Sequence, residues 1–138
     1  MKPETVERAE RLLGTRAESS APVAGDALAH CDVRSDNLCI KDGRAVLVDW
    51  NWAQRGSSVL DVALWLPSLA LEGGPAPEEI SRSFPGVDAI APMLAGFFVG
   101  QAGLPPHEGA PLVRGFQLDQ LRVALPWACS VLELEPPA

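Results

Sequence analysis

Apolar and polar residues alternate in three distinct ways along this chain, and each way predicts a different element. Near the start, Val6, Ala9, Leu12 and Leu13 fall at helical spacing within Glu4 to Leu13, and Gly14 closes that stretch. Thr15 to Gly25 is small and polar and reads as a connection; Ala27-Leu28-Ala29 then makes a short apolar approach to His30. Two apolar runs follow, Leu38-Cys39-Ile40 and Ala45 to Val48, joined through Asp42-Gly43. Those two residues tolerate the positive φ that a tight hairpin turn demands, so the spacing predicts a β-hairpin, with Asp42 as a turn residue.

Beyond the hairpin the pattern is helical. Ser57 or Ser58 is a candidate N-cap for a helix from Val59 to about Leu71, closed by Gly73-Gly74. Its apolar residues lie nearly all round, which predicts burial. Glu72 to Pro92 is rich in Gly and Pro and predicts a loop with short helical pieces. Met93 to Gly100 predicts a second buried helix, and Leu112 to Leu134 a last one, with Pro126 as a kink or a boundary. A small strand cluster followed by helices is an α+β arrangement.

The length, 138 residues, is one domain's worth of material, and 47% hydrophobic with 21% charged residues is globular composition. A net charge of −7, with basic residues scattered, argues against a nucleic-acid surface. Cys31, Cys39 and Cys129 are odd in number and lack CxxC spacing, which argues against zinc and for a reducing compartment. The richest apolar stretch, Val59 to Leu71, is interrupted by Asp61 and Pro67 and is too short to span a bilayer. A soluble, cytoplasmic chain with no membrane partner is expected.

The chemistry concentrates in His30-Cys31-Asp32-Val33-Arg34-Ser35-Asp36-Asn37, an H-x-D-x-x-x-x-N spacing, followed by a hairpin whose second strand delivers Asp49-Trp50. The hairpin folds Asp49 back beside the loop, so Asp32, Asn37 and Asp49 are expected to converge. An amide oxygen and a carboxylate are the hard donors that Mg²⁺ takes, and a further carboxylate off the metal suits the acceptance of a hydroxyl proton. His30 is better suited to holding the loop than to acting as base. Arg34 either stabilises phosphate charge or lies on the surface.

This segment, with L-C-I-K-D-G-R-A-V-L-V-D-W after it, resembles the catalytic loop and metal-binding segment of aminoglycoside phosphotransferases and related small-molecule kinases, which share a lobe architecture with protein kinases. The resemblance is strong over residues 28 to 70 and weaker from Leu112 to Leu134, where Gln117, Gln120 and Leu125-Pro126-Trp127 look like the family's closing element. It implies Asp32 as catalytic base, with His30 and Arg34 in the same loop, and Asn37 and Asp49 as ligands of Mg²⁺ in a Mg·ATP complex. Asp61, within Gly56 to Ala63, matches an aspartate that braces the loop by hydrogen bonds to its backbone. An Asp in an otherwise apolar helix needs such partners in any case.

The implied activity is ATP- and Mg-dependent phosphoryl transfer to a hydroxyl of a small molecule, a cationic aminosugar being one candidate. The implied fold is the mainly helical C-terminal lobe of a protein-kinase-like fold, here residues 1–138 as a single partial domain. The family's N-terminal nucleotide lobe is not recognisable: no G-x-G-x-x-G occurs, and the only lysines are Lys2 and Lys41. Weak activity is therefore expected of the chain alone, unless such a lobe is supplied in trans. The competing expectation is a non-catalytic remnant that acts as a binding module. A Ser57 or Ser58 hydrolase is disfavoured, since no G-x-S-x-G elbow is present.

Three simpler expectations complete the reading. Trp50 is expected to be buried against the loop, with Trp52, Trp65 and Trp127 in the core. Asp36 is expected to be a solvated loop residue and His107 an exposed one. Glu72, Glu78, Glu79, Asp88 and Glu108 are expected to form a solvated acidic surface.

Overall fold

The structure is a computed structural model and describes residues 21–102 and 104–136. The expected helix from Glu4 to Leu13 lies outside the described residues. The remainder is α+β, with two small antiparallel ribbons leading into a helical body.

The first ribbon pairs β1 (Ala27–Ala29) with a strand the sequence pattern did not reveal, Gln54–Gly56, in the register Ala27↔Gly56 to Ala29↔Gln54. Between them lies the expected hairpin, β2 (Leu38–Lys41) and β3 (Arg44–Leu47), which makes Gln54–Gly56 β4. The turn has φ of 51° at Asp42 and 73° at Gly43, the paired positive values of a type I′ turn whose twist matches the strands. The nesting has a direct consequence. Residues 30–37 leave β1 and residues 48–53 enter β4 at the same end of that ribbon, and both also adjoin the open end of the hairpin. The two loops are thus held between two ladders.

Gly25 makes the close approach at the base of the first ribbon. A Cβ there would lie 2.5 Å from the Gly56 carbonyl oxygen, so only glycine lets the backbone pass.

Four helices follow: α1 (Leu60–Leu71), the short α2 (Pro77–Ser81), α3 (Ala91–Ala102) and α4 (Val113–Val131). The core lies among α1, α3 and α4. Ala63 and Leu66 of α1 meet Leu94, Ala95, Phe98 and Val99 of α3 and Leu121, Ala124, Leu125 and Trp127 of α4, closed below by Val87 and Ile90. One buried polar pair crosses it, with Gln120 Nε2 donating to Ser68 Oγ at 2.9 Å.

Several expectations are corrected. Neither Ser57 nor Ser58 is the N-cap. Val59 occupies that position without a side-chain cap, and the entry turn is closed by the Ser57 carbonyl, which accepts from Leu60 N–H at 3.1 Å. Pro126 is not a boundary: α4 runs through it to Val131, because Leu125, Trp127 and Ala128 on either side are buried and tertiary packing outweighs the lost backbone bond. Trp127 is fully buried and Trp65 half-buried, but Trp50 is 45% and Trp52 70% exposed, since both sit in the loop above the ribbons rather than over the helical core. The acidic surface is also only partly solvated. Asp88 accepts from the buried Trp127 Nε1 at 2.8 Å, Glu79 accepts from Ala76 N–H at the start of α2, and Glu72 accepts from Ser35.

No helix among the described residues is long and apolar enough to cross a membrane.

Candidate functional site

The loop from His30 to Asn37 is fixed first by its backbone. Asp61, in the first turn of α1, presents its two carboxylate oxygens to two consecutive amides: Oδ2 accepts from His30 N–H and Oδ1 from Cys31 N–H, both at 2.8 Å. A carboxylate that accepts two backbone bonds has its charge matched by two dipoles, which offsets its removal from water.

His30 is fully buried, and both ring nitrogens are engaged. Nδ1 faces the Asp32 N–H at 3.3 Å and must accept; Nε2 lies 2.8 Å from the Val48 carbonyl oxygen and must donate. The partners therefore assign the neutral ring with its proton on Nε2. With no lone pair left over, His30 is a tie between the two loops rather than a base. The edge of the Trp50 ring packs against it, with centroids 4.6 Å apart.

Val48 is the joint between hairpin and loop. Its carbonyl takes the His30 proton, and its N–H donates to the Asn37 carbonyl at 2.9 Å, which extends the hairpin ladder by one pair. Asp49 follows at once with φ of 61°. Its exposed carboxylate receives Asn51 Nδ2 on Oδ1.

Asn37 ends a 3₁₀ turn, Ser35–Asn37, and is buried. Its Nδ2 donates to the Asp32 carbonyl at 2.8 Å and to Asp32 Oδ2 at 3.0 Å. Two acceptors on one side fix the amide's orientation, so Oδ1 is the atom it can offer elsewhere. Asn37 is thus bonded directly to Asp32 by its side chain, and by its backbone to the residue preceding Asp49. The pair Asn37 and Asp49 has the hard-oxygen chemistry that Mg²⁺ takes, and Mg²⁺ ordinarily keeps several waters beside one or two carboxylates. Among the described residues no group of three His, Cys, Asp or Glu side chains is placed to hold a metal.

Arg34 points along the loop. Its Nε and Nη2 donate to the two oxygens of Asp36 at 3.0 and 2.9 Å, its Nε lies 3.6 Å from Asp32 Oδ1, and its guanidinium stands 5.3 Å from the centre of the Phe116 ring of α4. Asp36 is exposed but paired, not merely solvated. Three contacts were not foreseeable from spacing: Phe116 on Arg34, Ser35 Oγ donating to Glu72 at 2.6 Å, and Gln54 Nε2 donating to Cys31 Sγ at 3.3 Å. Each joins residues far apart in sequence, and no local pattern marks them.

No protein-family model, curated protein or solved structure matches the chain.

Proposed function

We propose that this chain carries the catalytic segment of an ATP- and Mg-dependent phosphotransferase acting on a hydroxyl of a small molecule, on the C-terminal lobe of a protein-kinase-like fold. The observation that carries the reading is the double use of Asn37. Its side chain holds Asp32, and its backbone holds the strand end that presents Asp49. Phosphoryl transfer asks for such a placement, with an unliganded carboxylate next to a hard-oxygen pair.

In this reading Asp32 receives the proton of the attacking hydroxyl. Its Oδ2 is occupied by Asn37, so the acceptor would meet Oδ1, which lies 3.6 Å from Arg34 Nε. As the acceptor oxygen bonds to the γ-phosphorus, the bridging P–O bond breaks with its electron pair leaving on ADP. Asn37 Oδ1 and Asp49 would hold Mg²⁺, whose charge offsets that of the phosphates. His30 and Asp61 set the loop's shape. Arg34, already committed to Asp36, acts on Asp32 rather than as a free phosphate clamp. The reading assigns the chain to the cytoplasm, where ATP is made and thiols stay reduced.

A second reading, a lobe that binds a partner without turnover, is favoured by one observation. Leu38, Ile40, Val46 and Val48 of the hairpin, with Leu28, Trp50 and Trp52 beside it, are all exposed. Two-stranded ribbons are marginal by themselves, and so much exposed apolar surface suits a covering protein partner.

Thermal unfolding with and without millimolar Mg·ATP, beside Asp49→Ala, separates the two. A ligand at about a hundred times its Kd adds roughly 2.7 kcal/mol. A magnesium-dependent rise in Tm that Asp49→Ala loses supports the first reading. A cooperative transition that does not move with Mg·ATP supports the second.

A further inference from the structure

Asp49 has its backbone fixed from both sides. Val48 before it is held by Asn37 and His30, and Trp50 after it donates Nε1 to the Leu47 carbonyl at 2.9 Å. The carboxylate itself is exposed and has no ion pair among the described residues. Asn51 orients it: Nδ2 donates to Asp49 Oδ1 at 2.5 Å. The turn around Asn51 is closed by backbone alone, with Ala53 N–H donating to the Trp50 carbonyl at 3.1 Å, so the Asn51 side chain is committed to Asp49 rather than to the turn.

This leaves few oxygens for a cation. Asn37 has spent Nδ2 on Asp32 and offers Oδ1; Asp49 has Oδ1 engaged by Asn51 and offers Oδ2. A donor on one carboxylate oxygen opposes bidentate use of the group, because both oxygens would then have to turn to the same ion. Among the described residues no group of three His, Cys, Asp or Glu side chains forms a cage around the pair. Two single-oxygen donors suit Mg²⁺, which is octahedral, keeps several waters and takes one or two carboxylates together with substrate phosphates. They suit Ca²⁺ poorly, since it takes about six to eight oxygens and accepts carboxylates through both oxygens.

We infer that Asn51 is a positioning residue that holds Asp49 to coordination through one oxygen and so sets a preference for Mg²⁺ over Ca²⁺. The inference deepens the phosphotransferase reading and rests on it for the Mg·ATP site. Its readout is a ratio of two metals, measured as binding and without turnover. A general disturbance of the loop would weaken both metals alike and leave that ratio where it was.

The test is isothermal titration of the full chain with Mg·ATP and, separately, with Ca·ATP, for the parent, Asn51→Ala and Asp49→Ala. The parent should bind Mg·ATP the more tightly. Asn51→Ala should weaken Mg·ATP about tenfold, the lower end of what losing a partner of a metal ligand costs, while Ca·ATP, given a second oxygen, holds or gains. Asn51 is exposed, so this variant should keep the parent's Tm in the absence of metal. A parent that favours Ca·ATP, or an Asn51→Ala chain with the parent's ratio, overturns the inference and leaves the nucleotide site standing. No Mg·ATP binding by the parent, or binding that Asp49→Ala does not weaken, overturns the phosphotransferase reading and the inference with it.

Discussion

Replacing Asp61 by alanine removes two hydrogen bonds at once, those from His30 N–H and Cys31 N–H at 2.8 Å each. Hydrogen bonds to a charged group contribute about 1.5–3 kcal/mol each, and a buried donor left without a partner costs about 1–3 kcal/mol. His30 is fully buried, so its amide gains little from water when Asp61 is lost, whereas Cys31 is only partly buried and recovers some solvation. The expected loss is about 3–4 kcal/mol, or roughly 10 °C in Tm for a domain of this size. Asp61→Asn keeps one acceptor oxygen and turns an NH₂ group toward the other amide, so about half of that loss or more is expected. Urea unfolding of the three chains measures the stability, and amide hydrogen exchange locates it: protection at His30 and Cys31 should collapse first. An Asp61→Ala chain within 1 kcal/mol of the parent, with both amides still protected, would mean that this carboxylate does not hold the loop.

Cys31 has φ of 64°, a region that costs an L-residue about 1–2 kcal/mol. Cys31→Gly should therefore be close to neutral, while Cys31→Val should lose about 2 kcal/mol by chemical denaturation, because a β-branched residue fits this conformation worst. Equal tolerance of the two would remove the strain argument. Across the core, Ser68→Ala strands the Gln120 amide and should cost about 1–3 kcal/mol, whereas Ser68→Ala with Gln120→Leu should recover most of it. A double-mutant cycle with no coupling would refute that pairing. Burial raises the Cys129 thiol above its ordinary value. The stability it contributes is complete below the thiol's unfolded value and is lost as pH rises through the folded one, so Cys129 should label with a thiol reagent only on unfolding, while exposed Cys39 labels at once.

The hairpin was legible because its signal is local: two apolar runs and Asp42-Gly43 leave little choice of turn. Asp61 was legible for a different reason, since an acid inside an apolar helix must find partners. What the pattern could not give was which partners. β4 was missed because Gln54-Arg55-Gly56 has neither alternation nor branched residues and is a strand only through its pairing with β1. Trp50 does meet the loop, edge-on against His30, but its position and that of Trp52 above two thin ribbons leave both rings largely exposed, which side-chain character alone does not reveal. Asp88 looked like surface because its partner, Trp127, is far away in sequence. Ser57 sits two residues before the N-cap, where its carbonyl accepts from Leu60 N–H and its hydroxyl accepts from Val59 N–H at 3.5 Å, so it closes the entry turn rather than capping the helix.

Strain and restraint coincide at two points of this site. Cys31 and Asp49, one beside the proposed base and one the proposed metal carboxylate, both have positive φ. A non-glycine residue keeps such a conformation only where its neighbours over-determine it. They do so in both places. The Cys31 N–H is held by Asp61, and the residue after it donates to His30 Nδ1. Asp49 follows a residue whose N–H is held by Asn37 and whose carbonyl is held by His30 Nε2. A single ring therefore bears on both strained residues, and Asn37 bears on both carboxylates. A loop that served only to connect β1 to β2 would relax these torsions at no cost to the helical core. Their retention is what a site needs if it must hold two carboxylates at fixed places, and it makes His30, rather than either aspartate, the residue whose loss should disturb both halves together.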